Sequence, residues 1–149
     1  MDLVVNYMTA SAITKGKLQV FGGDQQRPLI HVKDIGDAIV SNLNSGVRGT
    51  YNLATVNMNI KDLAGIVQKI TNCEVEYVEQ KFEDERNYHA SCEKAKQDKI
   101  FDFNSFRGIK FGVQEISDVI KSGRVKYVEK DVYSNEKHLN NLLKNGEYV

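Results

Sequence analysis

Leu18-Gln19-Val20-Phe21-Gly22-Gly23-Asp24-Gln25-Gln26-Arg27-Pro28-Leu29-Ile30-His31-Val32-Lys33-Asp34 is the stretch that decides the fold of this chain. It opens with a short apolar strand over 18–21, in which Leu18, Val20 and Phe21 supply the apolar positions. A Gly-Gly pair then supplies a tight turn. Arg27 stands directly before the only proline of the chain, and a residue before proline is driven into an extended conformation. A second apolar run follows, Leu29, Ile30 and Val32, and it ends at Asp34, which is placed to cap the next helix. A strand, a turn, a second apolar run and a helix in so few residues imply an α/β arrangement.

The flanking chain extends that pattern. Residues 2–15 read as a helix, with Asp2 positioned to cap it and Gly16 to end it. Its apolar residues (Leu3, Val4, Val5, Tyr7, Met8, Ala10, Ala12 and Ile13) occupy more than one face, so part of that surface is expected to meet another chain or a further domain. Residues 35–44 form the next helix, with Ile35, Ala38, Ile39 and Leu43 at helical spacing. Gly46 and Gly49 bracket a turn before a short strand over 50–53. Asn59 caps an amphipathic helix over 60–71, with Ile60, Leu63, Ala64, Val67 and Ile70 on one stripe. A strand over 74–79 and a polar stretch over 80–90 lead to a short helix near 92–99. Gly112 precedes a helix over 113–122, and Ser134 caps a final helix over 135–145 that Gly146 closes. The expected fold is one mixed α/β domain spanning residues 1–149, with short strands and more helix than strand.

Composition excludes several function classes. The chain has 149 residues, 41% hydrophobic and 27% charged, as is ordinary for a globular protein. Twenty basic residues balance twenty acidic ones, so there is no electrostatic case for nucleic acid or an anionic membrane surface. No apolar run reaches the length of a membrane span, and no signal peptide opens the chain. The expected location is cytoplasmic. Cys73 and Cys92 stand apart without metal-ligand spacing or a pairing framework, and read as inert thiols.

The pattern from Val20-Phe21-Gly22 to Gln26-Arg27-Pro28-Leu29-Ile30-His31-Val32-Lys33-Asp34 resembles the substrate-domain signature of the extended short-chain dehydrogenase/reductase family, the NAD-dependent nucleotide-sugar epimerases and dehydratases. The resemblance runs nearly end to end but covers only the second half of that architecture. It implies the substrate-binding domain of such an enzyme, without the doubly wound sheet that carries cofactor and catalyst. NAD(P) is then implied on a missing or partner domain, and the ligand is a nucleotide sugar linked to UDP, CDP or dTDP.

The resemblance also implies roles for particular residues. Arg27 falls where the family contacts the diphosphate of the sugar nucleotide, and a planar guanidinium suits a phosphate; a surface salt bridge is the plain alternative. Gln19 and Phe21 lie on the strand that lines the base pocket, where an aromatic face can pack against the ring, although a Phe ending an apolar strand is as often core. Asn52, within Tyr51-Asn52-Leu53, matches an asparagine close to the nucleotide, or else bonds local backbone. Asp84-Glu85-Arg86-Asn87-Tyr88 resembles an Asp-x-Arg-x-Tyr stretch, which makes Arg86 a second phosphate cation and Lys81 a further candidate; Arg86 could equally neutralise its acidic neighbours. Leu3, beside Asp2, falls where the family brings a helix start to the diphosphate. Where relatives carry Leu-Gly-Phe-x-Pro, this chain has Lys99-Ile100-Phe101-Asp102-Phe103, so a different path is expected there.

The parts needed for hydride chemistry are not found. No Gly-x-x-Gly-x-x-Gly turn occurs; Gly46 and Gly49 have the first spacing and no third glycine. Tyr77/Lys81 and Tyr133/Lys137 match the Tyr-x-x-x-Lys spacing, but the first falls in an expected strand and the second beside the last helix, and both are attributed to chance. His31, His89 and His138 are scattered, and His31 reads as a satisfied boundary histidine. The acidic run Glu83-Asp84-Glu85 reads as a solvated loop. No catalytic, cofactor-binding or metal-binding residue is assigned, and the chain alone is expected to be inactive. Three expectations stand: a truncated or split-enzyme substrate domain working with a partner polypeptide; a non-catalytic nucleotide- or phosphosugar-binding or protein-interaction module, with a homo-oligomer as one form; and, least favoured, a complete enzyme.

Overall fold

The computed structural model describes residues 2–78 and 86–146. Lys81, Asp84 and the run Glu83-Asp84-Glu85 lie outside the described residues, as does Glu79 at the expected end of the fourth strand. The fold is mixed α/β with more helix than strand.

Helix α1 (Val4–Lys15) is capped by Leu3, not by Asp2. The Asp2 carboxylate instead accepts the backbone N–H of Asn135, at the start of the last helix, at 2.5 Å. Gly16 closes α1 in the left-handed conformation that only glycine adopts without cost (φ 66°). Strand β1 (Lys17–Phe21) pairs in parallel with β4 (Glu74–Val78), with Lys17 opposite Glu74 and Phe21 opposite Val78. Strand β2 (Gln26–Leu29) pairs antiparallel with β3 (Val56–Asn59), with Arg27 opposite Met58 and Pro28 opposite Asn57. The strand expected at 50–53 does not form. The chain becomes a strand only at Val56, where β2 offers a partner, and Thr55 enters it by donating both its N–H and its hydroxyl to the Leu29 carbonyl, at 2.9 and 3.0 Å.

Helix α3 (Ile60–Thr71) begins as expected. Asn59 accepts the Asp62 N–H at 2.7 Å while its amide donates to the Asp62 carboxylate at 2.8 Å, which satisfies the cap from both sides. Helix α4 is a short piece, Glu93–Gln97. Lys99 follows it with φ 52°, the conformation a glycine would take freely. Helix α5 spans Ile109–Lys121 with Gly108 at its N-cap. It starts four residues before the expected position, so Gly112 lies inside it and faces His31, whose Cδ2 is 3.4 Å from where a Cβ would stand. A 3-10 turn (Asp131–Tyr133) and α6 (Asn135–Lys144) finish the described chain. Ser134 occupies the N-cap of α6, but its hydroxyl makes no capping bond.

The core lies where α1, α3 and α5 close over β1. Met8, Ala12, Leu18, Val20, Leu63, Ala64, Val67 and Val113 meet there, with Val4, Val5 and Ile109 packed at its edge. Leu18, Leu63, Val67 and Val113 are fully buried. The several apolar sides of α1 are therefore covered largely by this chain itself.

Helix α2 (Val32–Asn42) is built differently. Its N-cap is His31, whose Nδ1 accepts the Lys33 N–H at 3.2 Å, so Asp34 is not the cap. Asp34 sits in the first turn, 1% exposed, and accepts the Arg107 N–H at 3.0 Å and its guanidinium at 2.7 Å. The Asn42 amide donates to the Ile100 carbonyl at 2.6 Å. A buried carboxylate is tolerated only when its oxygens are occupied in this way.

Candidate functional site

The Gly22–Gly23 turn is braced by Gln25. Its Oε1 accepts the Gly23 N–H at 2.6 Å and its Nε2 donates to the Phe21 carbonyl at 3.1 Å. The start of α3 is sewn to the same turn, Lys61 N–H to Gly23 O at 3.0 Å and Ile60 N–H to Gln25 O at 3.3 Å. Strand β2 therefore leaves the turn in a fixed direction, with Arg27 as its second residue.

The Arg27 guanidinium donates through Nη1 to the Gln26 carbonyl at 2.8 Å and to the carbonyl of Arg86. It lies 5.5 Å from the centre of the Tyr88 ring, within range of a cation–π attraction. The neighbouring Gln26 N–H donates to Asn87 Oδ1 at 3.0 Å. Arg27 and Arg86, 59 residues apart in sequence, are thus brought together. Further along, Asn57 on β3 grips Ala90 as a strand would, accepting its N–H at 2.9 Å and donating to its carbonyl at 3.2 Å. Asn52 donates weakly to the Ser91 carbonyl at 3.4 Å. The Cys92 thiol accepts the Ala54 N–H at 3.1 Å. Side-chain amides and a thiol thereby lay residues 86–92 along the β2–β3 pair, with a groove of about 580 Å³ between Ala54–Asn57 on one side and His89–Glu93 on the other. Lys96 and Phe103 close its end.

The other expected residues are placed elsewhere. Gln19 shares an outward face of β1 with Lys17 and Phe21, and its amide donates to Glu76 at 3.0 Å. The Gln19 amide, and then the Lys17 ammonium at 2.9 Å, hold the Glu76 carboxyl below the usual carboxylate range. Phe21 is half-buried at the end of that strand. Leu3 is exposed at the α1 cap, beside Asp2 and its bond to α6. Sequence reasoning did not single out Asn57, Gln25 or Tyr88. Tyr88 stood in the quoted motif and could have been named, whereas nothing around Asn57 marks it as a clamp.

A second hollow of about 370 Å³ lies along α5 between Phe111 and Arg124. Glu115 at its edge meets His31 Nε2 at 3.1 Å and the Lys33 ammonium, and Lys33 holds its carboxyl below the usual range. His31 is therefore a helix cap and a hydrogen-bond partner of Glu115.

The described residues do not fit a dinucleotide. The glycine turn after β1 leads into another strand, so no helix N-terminus is aimed at a pyrophosphate. A Cβ at Gly23 would stand 2.5 Å from Lys61 Cγ, so the turn is already filled. Tyr133 ends the 3-10 turn, and Lys137 faces Asp131 at 3.9 Å. Among the described residues no group of His, Cys, Asp and Glu could hold a metal, and no helix is long and apolar enough to cross a membrane.

No family model and no curated protein matches the sequence. Solved structures do. An NAD-dependent NDP-hexosamine 5,6-dehydratase, TunA, involved in tunicamycin biosynthesis, aligns over 81% of this chain and 41% of its own with a TM-score of 0.65 and 22% identity. The Bordetella bronchiseptica enzyme WbmF, in complex with NADH, aligns over 81% and 37% with a TM-score of 0.63 and 26% identity. The dTDP-glucose 4,6-dehydratase of Bacillus anthracis, in complex with NAD, aligns over 81% and 39% with a TM-score of 0.61 and 22% identity. The fold is that of a portion of the extended short-chain dehydrogenase/reductase enzymes that act on sugar nucleotides. This chain spans about two-fifths of their length.

Proposed function

We propose that this chain is the nucleotide-sugar-binding portion of an NAD(P)-dependent sugar epimerase or dehydratase, with the cofactor and the Tyr-Lys pair supplied by polypeptide outside these residues. The observation that carries this reading is the junction of Arg27 with Arg86 and Tyr88, in a fold shared with dehydratases of NDP- and dTDP-sugars. Arg27 would bind the diphosphate, because a guanidinium fixed through Nη1 presents its planar fork at a set angle and loses little freedom on binding. Arg86 is held beside it by its own backbone and would add the second cation. Asn52 and Asn57 would set the groove wall. Phe21 and Gln19 would serve the base, Leu3 at the start of α1 is peripheral, and Lys81 would be a further phosphate cation. No hydride step is assigned to this chain, whose described residues do not fit the dinucleotide.

Calorimetric titration of the purified chain with dTDP-glucose and with UDP-glucuronic acid tests this. Saturable binding that weakens at least tenfold in Arg27→Ala supports the proposal. No saturation by millimolar ligand, or equal binding by Arg27→Ala, overturns it. The pure chain given NAD and either sugar should show no turnover; a steady rate of nucleotide reduction would make the chain a complete enzyme.

A further inference from the structure

Residues 86–92 run beside the β2–β3 pair without joining it as a third strand. Pro28, opposite Asn57 in the register, has no N–H to give such a strand. Side chains hold the segment instead. Asn87 Oδ1 accepts the Gln26 N–H at 3.0 Å and the Cys92 thiol accepts the Ala54 N–H at 3.1 Å, which pins both ends. Between them stands Asn57, which accepts the Ala90 N–H at 2.9 Å and donates to the Ala90 carbonyl at 3.2 Å. An asparagine amide carries an acceptor and a donor side by side, as a peptide group does. One side chain thereby supplies the rung that a backbone ladder would have made. The same segment carries Arg86 and Tyr88, whose carbonyl and ring fix the Arg27 guanidinium.

We infer that Asn57 is a positioning residue for the sugar-nucleotide site: its amide latches residues 86–90 to β3 and so sets Arg27 and Arg86 at one spacing. This deepens the functional reading above and rests on it. A diphosphate presents its charge on two neighbouring phosphates, and guanidinium groups bind such oxygens through directed bonds. The spacing of the two cations therefore governs affinity. A loosely held segment would be a poor anchor. The Arg27 side chain would regain the rotamer freedom that the Arg86 carbonyl and the Tyr88 ring remove, and ligand binding would have to remove it again. Both bonds of the Asn57 amide go to Ala90, so it acts on the cations through the segment. It does so from β3, whose register against β2 is set by the backbone.

The test compares the purified chain with Asn57→Leu, which keeps the branched shape of the side chain and removes both bonds to Ala90. Nuclear magnetic resonance of the free chain reads hydrogen exchange at the Ala90 amide and the contact between the Arg27 side chain and the Tyr88 ring. In the variant, Ala90 should exchange at least tenfold faster and the Arg27–Tyr88 contact should disappear, while the α3 amides exchange as before. Calorimetric titration with dTDP-glucose should show binding weakened at least fivefold. Arg86→Ala should cost at least fivefold in the unaltered chain and less than twofold on the Asn57→Leu background, a coupling that loss of stability alone does not produce. Asn57→Ser, which keeps a polar side chain on β3, serves the same comparison where the leucine variant fails to fold. Unchanged exchange at Ala90, a surviving Arg27–Tyr88 contact, or losses at Asn57 and Arg86 that simply multiply overturns the inference. The readouts on the free chain keep the two readings apart. A chain that binds no sugar nucleotide, yet loses the Arg27–Tyr88 contact in Asn57→Leu, leaves the latch standing while the ligand reading falls. Sugar-nucleotide binding that Asn57→Leu leaves intact sinks the latch and spares the ligand reading.

Discussion

Asp34 and Arg107, 73 residues apart in sequence, are joined by two different groups of the arginine, its backbone N–H at 3.0 Å and its guanidinium at 2.7 Å. The guanidinium also reaches Asp37 at 2.6 Å, so one residue ahead of α5 fixes the first two turns of α2.

Removing the cation should be costly. Arg107→Ala leaves a carboxylate that is 1% exposed with the backbone N–H as its remaining donor. A marked loss of stability is expected, read as a lowered urea midpoint with unchanged slope. Asp34→Asn should cost less, because the amide oxygen still accepts from Arg107. Equal losses in the two variants would show that the pair does not act through its charge.

Two leucines should behave in opposite ways. Leu63 is fully buried on α3, and Leu63→Ala should cost about 2–5 kcal/mol through lost contact and a residual cavity. Leu43→Ala, on the outward stripe of α2, should stay within about 0.5 kcal/mol for the chain alone. Chemical denaturation of both variants checks the orientation of α2, and a large loss at Leu43 would place that stripe in the core.

The glycine turn should not accept a side chain. Gly23 has φ 116° and its added Cβ would meet Lys61 Cγ at 2.5 Å, near the root of that side chain. Gly23→Ala should lose about 1–3 kcal/mol through backbone strain and should also displace Arg27, which follows four residues later. Melting temperature and sugar-nucleotide titration on the same variant should fall together.

Acid should undo the link between α2 and α5. Lys33, and then His31, hold the Glu115 carboxyl below its ordinary value. A group depressed on folding stabilises above its unfolded pKa, about 4.3 for a glutamate, and that contribution is lost as pH falls through the folded value. The melting-temperature gap between the unaltered chain and Glu115→Gln should be full at pH 7 and close below about pH 4. A gap that stays constant down to pH 3 would mean that Glu115 contributes through packing.

What could be read in the sequence was local. Asn59 caps α3 through a residue three positions on, and Gly16 ends α1 through its own φ, so both were visible without any knowledge of the fold. Strand β3 was not visible, because Val56-Asn57-Met58-Asn59 is four half-buried residues that become a strand only through β2. Asp34 looked like a cap because an acid near a helix start usually is one; its true partner lies 73 residues away. Helical periodicity identified apolar stripes on α1 and α2 but not their directions. Part of the α1 surface was expected to await a partner; α3 and α5 cover much of it, Leu3 and Tyr7 remain exposed, and a further open stripe belongs to α2. Arg27 was conspicuous beside the only proline, yet its junction with Arg86 depends on side-chain clamps such as Asn57 that carry no sequence mark.

The parallel pairing of β1 with β4 also bears on how fast this chain reaches its native state. Gln19 and Glu76 are neighbours across that ladder and 57 residues apart along the backbone. Closing so long a loop has an entropic cost that no hairpin has, and it falls due before the ladder gives any return. Nucleation therefore belongs to short-range units, the Asn59-capped α3 above all, and the two-stranded sheet arrives late. Lengthening the connection between Gly46 and Gly49 should slow refolding while leaving the unfolding rate nearly unchanged.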